Sequence, residues 1–241
     1  MKYNEYSEAP VCVSEHRIYD NDRRYTDELH EQAVADIYRL YGMRLCSSDF
    51  IDRKRPLGVD SVSMDRDLGI DYVAMTNPFT DQQENYFVQE RFRQRKYDNH
   101  TDITVRLERN NAHSISIGQQ KSEFYKLQNT VLNVYPYYSK NFRFPSHLVI
   151  MYGFSDGYHI YKWAVADIVW LYDLIAKGRV IVDRSVRRTY FDADGRMHAP
   201  VEHNSDNSSD FVAFDVPGLM HIASESSDVH IIQHGFDHTY A

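Results

Sequence analysis

The stretch HLVIMYGFSDGYHIYKWAVADI, His147 to Ile168, sets two apolar runs on either side of the turn residues Ser155, Asp156 and Gly157. Asp and Gly tolerate the backbone angles of a tight reversal, so this pattern predicts a β-hairpin, and a hairpin of this length needs a sheet to join. With 19 Tyr and 12 Phe among 241 residues, the composition favours strands, because aromatic rings suit pleated, half-buried surfaces. The expected class is α/β in the α+β sense, a mixed central sheet flanked by helices.

Upstream, TDELHEQAVADIYRLYG places Leu29, Ala33, Ile37, Leu40 and Tyr41 at helical spacing, with acids in the first turn and Gly42 as a stop. Residues 1–25 lack periodicity and read as an arm, and residues 26–241 as one domain. The aspartates Asp60, Asp65, Asp67 and Asp71 cluster around glycines ahead of a short apolar run, which predicts a turn leading into a strand over Ile70–Met75. Tyr86–Gln94 and Asp102–Glu108 alternate and read as the next strands, all three being consecutive members of one sheet. SEFYKLQNTVLNVYPYY fits helix or strand. VWLYDLIAKG predicts a short helix ended by Gly178, followed by strands with a turn at Asp194 and Gly195, a polar loop, the strand FVAFDV and a helical turn starting at Pro217. No repeat of solenoid or propeller length is visible.

The chemistry gathers in VQERFRQRKY, Val88 to Tyr97. Side chains two apart on a strand share a face, so Phe87, Gln89, Arg91 and Arg93 project one way and Val88, Glu90 and Phe92 the other. If the second face is core, Glu90 needs a cation, a metal or a hydrogen-bonding network, since an unpaired buried carboxylate is costly. Asp71, at the start of the preceding strand, completes a set of oxygens suited to a divalent ion such as Mg²⁺, with a cation at hand for a phosphate.

Helix-borne Glu31, then GIDY with Asp71, then VQER with Gln89 and Arg91, resembles the PD-(D/E)xK nuclease superfamily. The resemblance covers about residues 26–108 and its motif is short. It implies a restriction-endonuclease-like core over about 26–180 with extra C-terminal strands over about 181–241. It implies a metal-dependent nuclease, with Asp71 and either Gln89 or Glu90 holding Mg²⁺ or Mn²⁺, Arg91 contacting the phosphate and Glu31 as an outer acid. The sequence departs from the family in two places: an amide, Gln89, stands at the second acid, and Arg91 replaces the usual lysine. Arginine stays charged and cannot serve as a base. A bulge in the strand would turn Glu90 towards the metal instead.

A formal net charge of −8 argues against polyanion binding by the whole surface, so contact with DNA, or with RNA, has to come from a local patch. Arg93, Arg95 and Lys96, with Arg106 and Arg109 on the next strand, supply candidates. The only cysteines, Cys12 and Cys46, read as reduced thiols of a cytoplasmic protein, in the host cytoplasm if the chain is viral. The apolar runs reach roughly half of the about 20 residues a bilayer requires, so no membrane partner is expected; a homodimer stays open. His230, His234 and His238 are spaced four apart, but Gly235 and the Ile-Ile pair favour a strand and tail over a metal site. No phosphate loop, nucleophile elbow, paired-cysteine zinc signature or calcium loop is present. The competing expectation is a non-catalytic nucleic-acid-binding or structural protein of a virus or mobile element that keeps the core without the reaction.

Overall fold

The computed structural model describes residues 27–109, 122–204 and 209–236. The expected arm, Cys12 and His238 lie outside the described residues. Helix α1 occupies 27–33 and widens into π turns over Val34–Tyr38. Strand β1 (Arg44–Leu45), helix α2 (Ser48–Lys54) and helix α3 (Ser61–Ser63, widening over Met64–Leu68) lead into β2 (Tyr72–Thr76) and β3 (Glu84–Gln94). Strand β4 (Asp102–Arg109) follows. Helix α4 begins at Glu123–Asn129, widens over Thr130–Val134 and finishes as Tyr135–Ser139, which resolves the ambiguous SEFYKLQNTVLNVYPYY segment as helix. The hairpin β5 (Ser146–Ser155) and β6 (Ile160–Asp167) precedes helix α5 (Ile168–Ala176). Strands β7 (Val180–Asp183), β8 (Tyr190–Phe191), β9 (Met197–His203) and β10 (Ser209–Asp215), helix α6 (Val216–Ala223) and β11 (Ile231–His234) complete the described chain.

Two mixed sheets result, and this corrects the expectation of one central sheet. The first has the order β1-β2-β3-β5-β6-β11; the second has β4-β10-β9-β7, with β8 on β9. Strand β4 is not β3's neighbour. It runs antiparallel to β10 from Asp102 opposite Asp215 to Arg109 opposite Ser209, while β3's free edge is taken by parallel β5, from Asn85 opposite Ser146 to Gln94 opposite Ser155. A turn at Arg95–Tyr97 separates β3 from β4, and the chain passes through β4 and α4 before returning as β5. Parallel pairing requires a long crossover of this kind.

Each face of the first sheet is covered, so its central strands are apolar on both sides. Leu29, Ala33, Ile37 and Tyr38 of α1 pack on Ala74, Val88, Val149 and Met151. On the opposite face Phe87, Leu148, Ile150 and Tyr152 join Leu127 of α4, Leu171 of α5 and Ile103, Val105, Val212 and Phe214 of the second sheet in one core. From Leu148 to Ser155, β5 is buried without interruption. The expected stripe of α1 holds through Ile37, but Leu40 is 70% exposed and Tyr38 is buried instead. A π turn inserts an extra residue per turn, which rotates the buried face.

Aspartates at strand ends launch the helices. Asp167 Oδ1 accepts from the N–H groups of Val169 (2.8 Å) and Trp170 (3.2 Å) at the start of α5, and Asp215 Oδ2 accepts from Gly218 N at 2.8 Å in α6. Asp60 caps α3 in the same way through Ser63 N, whereas Asp65 and Asp67, expected in a turn, lie in the widened end of α3.

Gly153 lies opposite Trp163 across β5 and β6. A Cβ there would come within 2.5 Å of the Lys162 carbonyl oxygen and 2.9 Å of Trp163 Cβ. Gly153→Ala is expected to lose about 1–3 kcal/mol of stability through overpacking, read as a lower urea midpoint; an unchanged midpoint would show that the two strands have room to part.

Candidate active site

A cleft of about 350 Å³ opens at the junction of α3, β2, β3, β4 and α4. Its position follows from how β2 starts. Gly69, at φ +72°, closes α3 in the left-handed conformation that favours glycine, and Thr130 Oγ1 of α4 donates to the Leu68 carbonyl at 3.0 Å, pinning that end of α3. The chain then turns so that Asp71 N donates to Val88 O at 2.9 Å while Asp71 Oδ2 accepts from Glu90 N at 2.6 Å. One residue thus uses backbone and side chain to grip β3 at the VQER segment.

Asp71, Gln89, Glu90 and Arg91 all line this cleft, so the structure brings together these residues of the sequence reading, with Leu29 of α1 and Phe92 beside them. Gln89 is 6% exposed, and its Oε1 is buried with no hydrogen-bond partner among the described residues. Arg91 Nη1 lies 3.4 Å from Glu123 Oε2, and its guanidinium sits 4.8 Å from the Phe211 ring centroid. Arg106 approaches from β4, with Nη1 2.8 Å from Glu123 Oε1 and its guanidinium over the same Phe211 ring. Glu123 therefore bridges two arginines that share an aromatic platform. Asp65, from the cluster read as turn, and Lys126, three residues beyond Glu123, complete the charged lining.

Glu90 lies on the other face, as alternation requires, and no bulge brings it back. Its Oε2 accepts from Tyr38 OH at 2.8 Å, and its Oε1 lies 2.9 Å from His30 Nδ1, both on α1. His30 in turn stacks on Tyr72 with ring centroids 3.8 Å apart. A hydrogen-bonding network is thus what the buried carboxylate uses, while Glu90 also lines the cleft beside Asp71. Glu31 is exposed and borders a separate hollow with Gln32, Gly157 and His159. Helix α1 does send a side chain to β3, but from the neighbouring position, His30. The sequence pattern carried no sign of His30 and Tyr38 as partners, because they meet Glu90 only through tertiary packing.

Asp71 keeps exposed surface at the mouth of the cleft, while protein surrounds it on its other sides. That burial, followed by the charges of Asp65, Glu90 and Glu123, holds its carboxyl well above the usual carboxylate range despite the opposing Glu90 N–H bond. A positive charge placed beside it would relieve this crowding.

The remaining basic candidates divide. Arg93 turns inward, donating to Thr104 Oγ1 at 2.8 Å with its guanidinium near the Tyr152 ring. Arg95 and Lys96 are exposed on the turn after β3, roughly 13 Å or more along the strand direction from Arg91 at about 3.3 Å per residue. The side chain of Arg109 lies outside the described residues. His230 and His234 stack on Trp170 and Trp163 respectively, in keeping with a strand and tail. No helix among the described residues is long and apolar enough to cross a membrane. No protein-family model, curated protein or solved structure matches the chain.

Tyr38 is fully buried, and its hydroxyl is one of the two side-chain partners of the Glu90 carboxylate. Tyr38→Phe is expected to cost about 1.5–3 kcal/mol, the worth of a hydrogen bond to a charged group. Chemical denaturation measures this, and a loss below about 0.5 kcal/mol would mean that water or another donor replaces the phenol.

Proposed function

We propose that the chain is a metal-dependent nuclease of the PD-(D/E)xK type that hydrolyses phosphodiester bonds of DNA. The observation that carries the reading is the shared cleft: Asp71 from the start of β2 and Gln89 and Arg91 from β3 face one space together with Arg106, Glu123 and Lys126. The order of a helix, a turn-borne aspartate and a following strand with the QER segment is the order on which the resemblance rests, and β2 and β3 are adjacent and antiparallel.

The donor set fits a divalent ion. Asp71 Oδ2 is used by Glu90 N, while no hydrogen bond of Oδ1 is found among the described residues. Gln89 Oε1 is a buried acceptor without a donor among the described residues. A hard cation such as Mg²⁺ or Mn²⁺ takes oxygens of these kinds and retains several waters. When bound, such an ion supplies an activated water and charge stabilisation at phosphorus. The chain's own contribution is to hold the phosphate. Arg91 and Arg106 are oriented by Glu123 and Phe211, Arg106 Nε is a buried donor without an acceptor among the described residues, and Lys126 adds a third positive charge. Arg91 acts through charge and hydrogen bonding rather than as a base.

A second reading has its own support. Arg91 is engaged by Glu123 and stacked on Phe211, and the second acid is an amide, which suits a nucleic-acid-binding or structural protein that no longer turns over.

The deciding experiment is Mg²⁺- or Mn²⁺-dependent cleavage of single-stranded, duplex and branched DNA, with an RNA substrate alongside, by the native protein and by Asp71→Asn. The expected outcome is metal-dependent cleavage of DNA that falls by at least about 100-fold in the variant, in keeping with the loss of a principal metal ligand. Equal activity in the variant would sink the nuclease reading, and metal-dependent binding without cleavage would favour the second.

A further inference from the structure

Away from the cleft, the turn between β3 and β4 meets the second sheet at a set of side chains that neither reading uses. His100 stands just before β4, Asp102 is the first residue of β4, and Glu202 lies near the end of β9. Ligand-type atoms of all three lie within 4.8 Å of one another, the one such set of His, Cys, Asp and Glu among the described residues. Residues 100 and 202 come together only because β4 and β9 flank β10.

We propose that His100, Asp102 and Glu202 form a binding site for a first-row divalent transition metal, of the zinc or manganese class. Geometry and an unmet bonding need support it independently. Asp102 is 9% exposed, and its Oδ2 is buried with no hydrogen-bond partner among the described residues, while Oδ1 lies 3.4 Å from His100 Nδ1. A buried carboxylate oxygen without a donor is costly, and here a second carboxylate, Glu202, faces it. A cation coordinated by the three groups removes both penalties at once.

The site is also held in place. Lys162, 6% exposed, donates through Nζ to the carbonyl oxygens of Asp98 (2.5 Å) and His100 (3.0 Å) and pairs with Asp98 Oδ1 at 3.0 Å. Its ammonium rests 4.2 Å from the Phe154 ring centroid. A buried lysine therefore fixes the backbone that carries His100, so the imidazole arrives at Asp102 without a large ordering cost on binding. Thr101, between the two ligands, donates to Asp215 Oδ1 at 2.6 Å and anchors the same turn to β10.

The donor chemistry selects the metal. One imidazole and two carboxylates form a mixed nitrogen and oxygen set, which suits zinc and manganese, whereas magnesium and calcium prefer all-oxygen surroundings. Three protein ligands leave at least one position for water or an anionic ligand, and the partly exposed His100 ring sets that position at the solvent edge. Arg93 is the nearest described cation on β3, but its guanidinium is committed to Thr104 and to the Tyr152 and Tyr97 rings.

Titration calorimetry with ZnCl₂ and with MnCl₂ tests the site, using the full chain and the Asp71→Asn variant so that the cleft does not contribute. One equivalent of Zn²⁺ or Mn²⁺ is expected to bind in Asp71→Asn, with affinity falling by at least about tenfold in Asp102→Asn, Glu202→Gln and His100→Gln. Excess Mg²⁺ is expected not to displace it. Because Asp102 is buried, the two more exposed positions decide the matter if Asp102→Asn misfolds. Co²⁺ in place of zinc gives a second readout, visible absorption bands that the His100→Gln change should shift. Absence of a bound equivalent in Asp71→Asn, or affinity unchanged by Glu202→Gln and His100→Gln, would overturn the proposal without bearing on the nuclease reading.

Discussion

Strand β3 is paired with β5 in parallel from Asn85 to Gln94 and with β2 antiparallel from Glu84 to Val88, beyond which Asp71 bonds its other edge, and this pairing governs which way its side chains project. A paired strand cannot twist a residue from one face to the other without a bulge, and none interrupts the register with β5 through Gln89, Glu90 and Arg91. Gln89 and Arg91 therefore project to one side and Glu90 towards α1, where His30 and Tyr38 hold it, and all three line the cleft. Asp71 joins the first pair because its carboxylate is bonded to the N–H of Glu90, the residue between them. The candidate site therefore draws on β3 and on Asp71, one position ahead of β2, so that the sheet gives it a stiff support.

Charge is distributed across this frame in a way that a folded core alone does not explain. Glu123 ties Arg91 and Arg106 together over Phe211, a pairing of opposite charges. Asp71, by contrast, is crowded by Asp65, Glu90 and Glu123, with its carboxyl pushed upward by burial and by those charges. Gln89 Oε1 and Arg106 Nε are left without partners among the described residues in the same neighbourhood. Buried groups are normally paired. An acceptor and a donor left open side by side are the complement of a ligand carrying both a cation and an anion.

Local pattern made part of this legible. The β5–β6 hairpin follows from two apolar runs and an Asp-Gly turn, and Gly157 indeed adopts φ +102°. The two faces of β3 follow from strict alternation, and the burial of Ile103, Val105 and Leu107 on one side of β4 follows likewise. What alternation does not encode is the neighbour. β4 looks like the next strand of the first sheet, yet it pairs with β10, more than 100 residues away, because the chain turns at Arg95–Tyr97 and β5 closes the edge of β3. The exposure of Leu40 depends on π turns that residue spacing does not reveal. His30 was hidden for a similar reason: next to the acidic Glu31 on α1, it becomes the partner of Glu90 only once α1 docks on the sheet. Glu202 could not be associated with His100 and Asp102 before β10 was placed between β4 and β9.

We propose that Asp71 and Gln89 together receive a divalent cation at the mouth of this cleft. Anomalous diffraction from crystals soaked in Mn²⁺ tests it most directly. The account predicts a peak in the cleft within coordination distance of Asp71 Oδ1 and Gln89 Oε1, about 2.0–2.3 Å for a hard divalent ion on oxygen. A cleft without a peak, in crystals where Mn²⁺ is bound elsewhere on the molecule, would contradict it.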